Sequence, residues 1–426
     1  MSTAISVLEI PCQFEEFMKI LVLNAGSSSQ KCCLYDLSPQ IPDHPPQPVW
    51  EATIDWTHHQ GFAEIKVKNI KGNLWQQEVV ASSRQQIMQR MLETLWVGET
   101  AMIKHPSEID MIGHRVVHGG DRYRQSTLIN AEVKAAIAEL SVFAPVHNPI
   151  NLEGIEIAEQ IFGDTPQLAV FDTAFHASLA PEVYTYAIPA KYTAQGIRRY
   201  GFHGISHQYC RDRTARLLNR DVQDLRLITC HLGNGCSLAA ILHGKSINTT
   251  MGFTPLEGLM MGTRSGSVDA GILVHLLRQP NMDVEQLDRL LNRESGLLGV
   301  SGIAADLRPI MAAIAEGNQQ AQLAIDMYVH SLRSHIGAML ASLGGLDVLV
   351  FTAGIGENAS VIRERVCQNL AFLGLKLDLN KNRQQHQGDR DIATPDSSVR
   401  VLIIHTQEDW EIARECWRSL SKSLSQ

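Results

Sequence analysis

The segment Asn24-Ala-Gly-Ser-Ser-Ser-Gln-Lys31 combines small residues, hydroxyls and one lysine. Small residues let backbone N–H groups approach an anion, hydroxyls donate hydrogen bonds, and lysine adds a point charge. The pattern GxxxxGK[ST] is absent, so this is no Walker A loop. Asn24 closes a short apolar run, a position from which a side-chain oxygen can hold Mg²⁺ or its water. The same residues would also make an ordinary Ser-rich hairpin. A second anion-directed side chain is Arg115, within Gly113-His-Arg-Val-Val-His-Gly-Gly120. His114 and His118 have a metal-like HxxxH spacing, but the valines favour a strand, on which residues four apart lie about 13 Å from each other. That is too far to share a metal, and Arg115 reads as an anion clamp or a surface arginine.

Arg264 ends a long, almost uncharged loop rich in Gly, Met and Thr, Thr250-Met-Gly-Phe-Thr-Pro-Leu-Glu-Gly-Leu-Met-Met-Gly-Thr-Arg-Ser-Gly266. Such a loop is suited to deliver a guanidinium, whose planar fork matches phosphoryl oxygens. Tyr200-Gly-Phe-His203-Gly-Ile-Ser-His207 leads into a helix, and a histidine there reads either as a structural donor or as a working side chain. Gly354-Ile-Gly-Glu-Asn-Ala359 fits GxGxx[GA] after a strand and before a helix, with Asp378 about 20 residues on, the dinucleotide-binding pattern. No βαβ run precedes it. An NAD-dependent oxidoreductase is therefore the remote alternative, and in either case the motif places a nucleotide against a glycine turn.

The elements that carry these residues are set by periodicity. Apolar runs at 20–23 and 31–35 flank the first polar turn, and strands are expected at 53–67, 74–80, 111–117 and 168–172. Helical spacing marks 83–96 and 130–140. The five prolines of 39–48 require a surface loop, and the prolines at 145 and 149 mark a turn. Leu227-Ile-Thr-Cys-His-Leu-Gly-Asn-Gly-Cys-Ser-Leu-Ala-Ala-Ile241 repeats the layout of 20–35: strand, Gly-containing polar turn, strand. Two such hairpins about 200 residues apart suggest a duplicated lobe. Beyond the second lie helices at 271–277, 284–293 and 319–343, strands at 347–352 and 399–404, and helices from 360 and at 409–421.

A chain of 426 residues exceeds one ordinary core, so two lobes are expected. Apolar residues make up 44% and charged residues 19%, a globular balance. No apolar run reaches the roughly 20 residues a membrane span needs. A net charge of −8 argues against a nucleic-acid surface. Eight cysteines without a CxxC pair read as buried thiols in a reducing compartment, hence a cytoplasmic location. Residues 1–17 differ in character from the rest of the chain and read as an N-terminal extension, a disordered tail or a start-site artefact.

In one order, the blocks LNAGSSSQK, GHRVVHGG, HNP, FDTAFH, YGFHGISH, HLGNGCS, MGFTPLEGLMMGTRSG, FTAGIGEN and TQED closely resemble the acetokinase family, the acetate kinases of the actin-like ATPase and sugar-kinase superfamily. The resemblance runs from Met18 to the final helix. It implies an α/β, two-lobed, duplicated actin-like (ribonuclease H-like) fold with the active-site cleft between lobes. The lobes would be 18–173, completed by 409–426, and 174–408. It also implies reversible transfer of phosphate from ATP to acetate, with propionate or another short-chain acid as the alternative acceptor. Mg²⁺, or Mn²⁺ in its place, and a homodimer come with it.

By position, Asn24 and Glu408 would be metal-associated, and Lys31 with the 27–29 turn would face phosphate. Arg115 would bind substrate. Asp172, His203 and Arg264 would be catalytic, with His147 and His231 nearby. His231, Leu232, Gly233, Asn234, Gly235, Asp306, Leu307, Arg308, Gly354, Ile355, Gly356, Glu357 and Asn358 would hold ATP. Small departures from the family pattern occur at Asn248, at 267–270 and at His405, none of them at a matched catalytic side chain.

Overall fold

A computed structural model describes residues 17–26, 29–59, 61–81, 83–385 and 388–423. The expected extension 1–17 lies outside the described residues except for Phe17, and so do Ser27 and Ser28 of the first turn. The chain groups into two compact units: up to His118 with Gln125–Phe171 and Gln407 onward, and Gly119–Arg124 with Asp172–Thr406.

The first unit holds strands β1 (Met18–Ala25), β2 (Ser29–Leu37), β3 (Trp50–His59), β4 (Phe62–Asn69), β5 (Leu74–Val80), β6 (Met111–Val116), β7 (Thr127–Leu128) and β8 (Gln167–Phe171). They form one sheet in the order β5-β4-β3-β2-β1-β6-β8-β7. The segment 53–67 is thus two antiparallel strands rather than one, with Gly61 at φ +83° between them. β1 is apolar on both faces, Ile20 to Val22 being fully buried, as a central strand must be. β5, at the edge, is exposed or half-exposed along its whole length.

The final helix, Glu408–Ser423, packs on β1 and β6. Gly113 permits that approach, because a Cβ there would lie 2.6 Å from Cys416 Sγ and from Ile412 Cγ2. The supposed turn around Pro145 and Pro149 opens a further helix, Asn148–Phe162. Pro149 sits in its first turn, where a missing N–H costs nothing.

The second unit holds β9 (Arg226–Leu232), β10 (Cys236–Leu242), β11 (Lys245–Thr249), β12 (Val348–Thr352), β13 (Arg390–Asp391) and β14 (Arg400–Ile403). Their order is β11-β10-β9-β12-β14-β13. In both units an antiparallel three-stranded meander is extended by two parallel strands: β3-β2-β1 by β6 and β8, and β11-β10-β9 by β12 and β14. The hairpin echo in the sequence is therefore an echo of whole sheets. Such mixed sheets are not the open parallel sheet that a dinucleotide fingerprint requires.

Helix Gln319–Leu343 packs on β10, Tyr328 Oη lying 3.4 Å from Cys236 Sγ. Asn318 caps its start by accepting from Ala321 N, and Gly344 at φ +65° ends it. The cysteines among the described residues are buried and unpaired with one another. Among the same residues no helix is long and apolar enough to cross a membrane.

Candidate active site

Asn24 stands at the end of β1, opposite Lys31 of β2. Its Nδ2 donates to Asp409 Oδ1 at 2.7 Å. That bond fixes the amide plane and leaves the Oδ1 oxygen of Asn24 for another group. Asp409 and Glu408 open the final helix, where negative charge meets the positive end of the helix dipole. Burial pushes the Asp409 carboxyl up from its ordinary value, while the bond from Asn24 and the charge of Lys31 pull it down. Arg115, near the end of β6, donates from Nη1 to the Ala25 carbonyl at 3.4 Å. His147 immediately precedes helix Asn148–Phe162. Asn24, Lys31, Arg115, His147 and Glu408 all belong to the first unit.

In the second unit His203 adopts a left-handed backbone, φ +56°, at the start of helix Gly204–Leu218. A side-chain-bearing residue rarely takes that conformation, and it marks a position held by its surroundings. The next residue, Gly204, donates its N–H to the carbonyl of Asp172 at 2.9 Å. Asp172 comes directly after β8 and is buried. The His203 ring stacks on His231 with centroids 4.1 Å apart. Both His203 and Arg264 face Gly235: a Cβ built there would lie 3.3 Å from Arg264 Nη1 and 3.5 Å from His203 Nε2. The turn glycine thus leaves room for two cationic or hydrogen-donating tips to converge.

Arg264 is half-buried, and desolvation lowers its pKa from the ordinary arginine value. Its contacts among the described residues are weak: Nη1 lies 3.4 Å from the Pro255 carbonyl and 4.0 Å from Met261 Sδ. A half-buried guanidinium with most of its five N–H groups unmatched by those residues has donors to spare for an anion. The loop that carries it is pinned elsewhere. Arg199, which sequence reasoning passed over, donates from Nη1 to the carbonyls of Thr249, Thr250 and Met251 and pairs with Glu257. Near Arg264 the loop is tied by Gly262 N to the Asn234 carbonyl and by Leu297 N to the Met261 carbonyl. No sequence motif announces Arg199; its role depends on contacts about 50 residues away.

A cavity of about 980 Å³ lies in the second unit. Gly233 and Asn234 of the β9–β10 turn, Asp306, Leu307 and Arg308, and Gly354, Ile355 and Asn358 line it. These are eight of the thirteen residues expected to hold ATP. Ala305, Met311 and 359–361 complete the lining and were not anticipated. Asp306 caps helix Leu307–Ala315 and holds the Arg308 guanidinium, which draws the Asp306 carboxyl down to about 2.

The remaining five expected residues are placed otherwise. Leu232 is core. His231 stacks on His203, and Gly235 faces it. Gly356 lies against the backbone of Phe351 and Cys230. The Glu357 carboxylate accepts from Ala353 N and Thr406 N and pairs with His405. Burial raises the Glu357 carboxyl, but these bonds outweigh it and hold the group below its ordinary value.

Among the described residues no three His, Cys, Asp or Glu side chains cluster to hold a metal. Asn24 and Glu408 offer hard oxygens only, which suits Mg²⁺, an ion that keeps several waters and binds through one or two protein oxygens plus substrate phosphates.

Residues 19–414 match the family model described as the Acetokinase family. An acetate kinase of Cyanothece sp. (strain PCC 7425 / ATCC 29141) is 60% identical over 401 residues, 94% of this chain and 98% of that protein. Among solved structures, Porphyromonas gingivalis acetate kinase superposes with a TM-score of 0.87 at 39% identity, covering 95% of this chain and 100% of the other. A propionate kinase from Francisella tularensis subsp. tularensis SCHU S4 gives 0.84 at 38%, covering 93% and 98%. With the family model spanning nearly the whole chain and full-length relatives sharing its two-domain α/β fold, this chain belongs to the acetokinase family.

Proposed function

We propose that this chain transfers the γ-phosphoryl group of ATP to acetate, forming acetyl phosphate and ADP reversibly. The observation that carries this reading is the convergence of Arg264 Nη1 and His203 Nε2 on Gly235, two residues along the chain from cavity-lining Gly233. A carboxylate is already ionised at neutral pH, so the acceptor needs no general base. The barrier lies in bringing it up to another anion. Arg264 and His203, with Arg115 for the substrate carboxylate, supply hydrogen bonds and charge that match the transferring group.

Transfer is in line, without a phosphoenzyme. Because no proton has to be removed, Asp172 serves as an orienting group: its carbonyl holds Gly204 and thereby His203. The cavity takes ATP, with Gly233, Asn234, Asp306–Arg308, Gly354, Ile355 and Asn358 around it, and Lys31 is the phosphate-facing residue of the first unit. Acetate is proposed ahead of propionate as the acceptor; what supports it is that the Cyanothece relative, 60% identical to this chain, is an acetate kinase. ADP release that depends on added acetate supports the proposal, and ATP consumed at the same rate without any acid contradicts it.

Asn24 and Glu408 would hold Mg²⁺ or Mn²⁺, which when bound neutralises phosphate charge. Asp409 would act through Asn24 by fixing its amide. Replacing Asp409 with alanine is expected to raise the Mg²⁺ concentration for half-maximal rate about tenfold or more, as loss of a partner behind a metal ligand does. Titration of initial rates with Mg²⁺ checks this.

The lobes are proposed as 18–173 with 409–426, and 174–408, working in a reducing cytoplasm that the free buried thiols favour. A homodimer is proposed as well. Support comes from helix Ala270–Leu277, which buries none of its residues although Ile272, Val274 and Leu277 are 49%, 50% and 41% exposed. An apolar helix left in water marks an interaction surface. Ile272→Lys with Val274→Asp is expected to give a monomer by sedimentation velocity, and an unchanged dimer would place the interface elsewhere.

A further inference from the structure

Behind His203 runs a chain of buried hydrogen-bonding groups, all within the second unit. His203 Nδ1 lies 2.9 Å from Ser237 Oγ. The same hydroxyl lies 2.8 Å from His207 Nε2, and His207 Nδ1 lies 2.7 Å from Thr229 Oγ1. Thr229, Ser237 and His207 are fully buried. Thr229 sits in β9, Ser237 beyond the turn in β10, and His207 one helical turn after His203 in Gly204–Leu218.

Proton counting gives the chain a direction. Among the described residues, the hydrogen-bond partner of the Thr229 hydroxyl is His207 Nδ1. A hydroxyl always carries a hydrogen, and a buried donor without an acceptor is costly, whereas an unused lone pair is less so. Thr229 therefore donates to His207 Nδ1. A neutral His207 then carries its hydrogen on Nε2 and donates it to Ser237 Oγ. Burial, reinforced by His176 and His231, pushes the His207 pKa well below 6.5, so the ring is neutral. Ser237, having accepted from His207, directs its own hydrogen to His203 Nδ1. A neutral His203 must then hold its hydrogen on Nε2, the atom that faces Gly235 beside Arg264. In the reverse direction the Thr229 hydrogen is left without an acceptor among the described residues.

We propose that Thr229, His207 and Ser237 are positioning residues that fix His203 as the tautomer with hydrogen on Nε2, ready to donate to the phosphoryl group in transfer. The proposal rests on the reading of His203 given under Proposed function. No atom of the relay changes hands during turnover; its work is to set one proton in place beforehand.

Two measurements test it. The ¹⁵N spectrum of histidine-labelled wild-type protein, assigned with single-histidine variants, should show Nδ1 of His203 and of His207 as unprotonated acceptors and Nε2 of both as protonated. Thr229→Val keeps the shape and removes the hydrogen. It is expected to move the His207 signals toward a mixture of tautomers and to lower kcat about tenfold, the equivalent of one lost buried hydrogen bond, with KM for acetate unchanged. Thr229→Ser should restore both. Hydrogen on Nδ1 of either ring in the wild type would overturn the proposal, as would a Thr229→Val protein with unaltered tautomers and kcat. If that variant fails to fold, the wild-type spectrum decides alone. Undiminished turnover in His203→Ala would instead retire the catalytic reading of His203 and leave the tautomer result standing by itself.

Discussion

Replacing Arg264 with alanine is expected to lower kcat about 10³-fold or more, the range found when an arginine that meets a transferring phosphoryl group is lost. Thermal stability should hardly change. Nη1 has only a 3.4 Å bond to the Pro255 carbonyl and a long approach to Met261 sulfur among the described residues, so truncation breaks little that holds the fold. It also removes a charge from a half-buried place, where a guanidinium without an ion-pair partner among the described residues is a cost rather than a support. Arg264→Lys keeps the charge but loses the fork and should remain far below wild type. Steady-state kinetics with a melting curve for each variant separate the two effects. Turnover within about tenfold of wild type in the alanine variant would remove Arg264 from the chemistry.

The second large effect is expected from a single methyl group. A Cβ on Gly204 would overlap the carbonyl oxygen of Asp172, the acceptor of the Gly204 N–H, and would crowd Phe175 Cβ at 3.1 Å. Both neighbours belong to rigid backbone or its first carbon, so the helix start has to move, and His203 moves with it. A displacement of about 1 Å at a reacting group can cost 10²-fold in rate. Gly204→Ala should therefore lose at least that in kcat and roughly 1–3 kcal/mol in stability from overpacking. Gly337, inside helix Gln319–Leu343 with nothing within 4 Å of a built Cβ, is the matched control. Gly337→Ala should be neutral or slightly stabilising, since alanine is the better helix former by about 1 kcal/mol. Equal behaviour of the two variants would show that the close approach at Gly204 has no consequence.

How far the site could be read from residues alone differs from one to the next. The two hairpins at 20–35 and 227–241 announce themselves because buried strands are apolar on both faces and their turns are not, and the sheets built on them share one strand order. Arg264 is legible because a lone arginine after a glycine- and methionine-rich loop has few structural uses. Helix Asn148–Phe162 was hidden by the prolines at its head, although Asn151, Ile155, Ala158 and Phe162 recur at helical spacing on its buried face. Asp409 escaped because its neighbour Glu408 answered the motif, while its bond to Asn24 spans 385 positions. Thr229 and Ser237 look like any strand residue; only the partners assembled around His207 give them a task. Local pattern reveals elements and isolated charges, whereas roles that depend on a partner far along the chain need the fold.

Phosphoryl transfer to a carboxylate is tested most directly by incubating the protein with Mg-ATP and acetate, propionate or butyrate and trapping the acyl phosphate with hydroxylamine. Abundant acetyl hydroxamate is expected, with less from propionate and little from butyrate, each added methylene changing discrimination by about 1–3 kcal/mol. No hydroxamate from any of the three acids, in protein that binds Mg-ATP, would contradict transfer to a carboxylate.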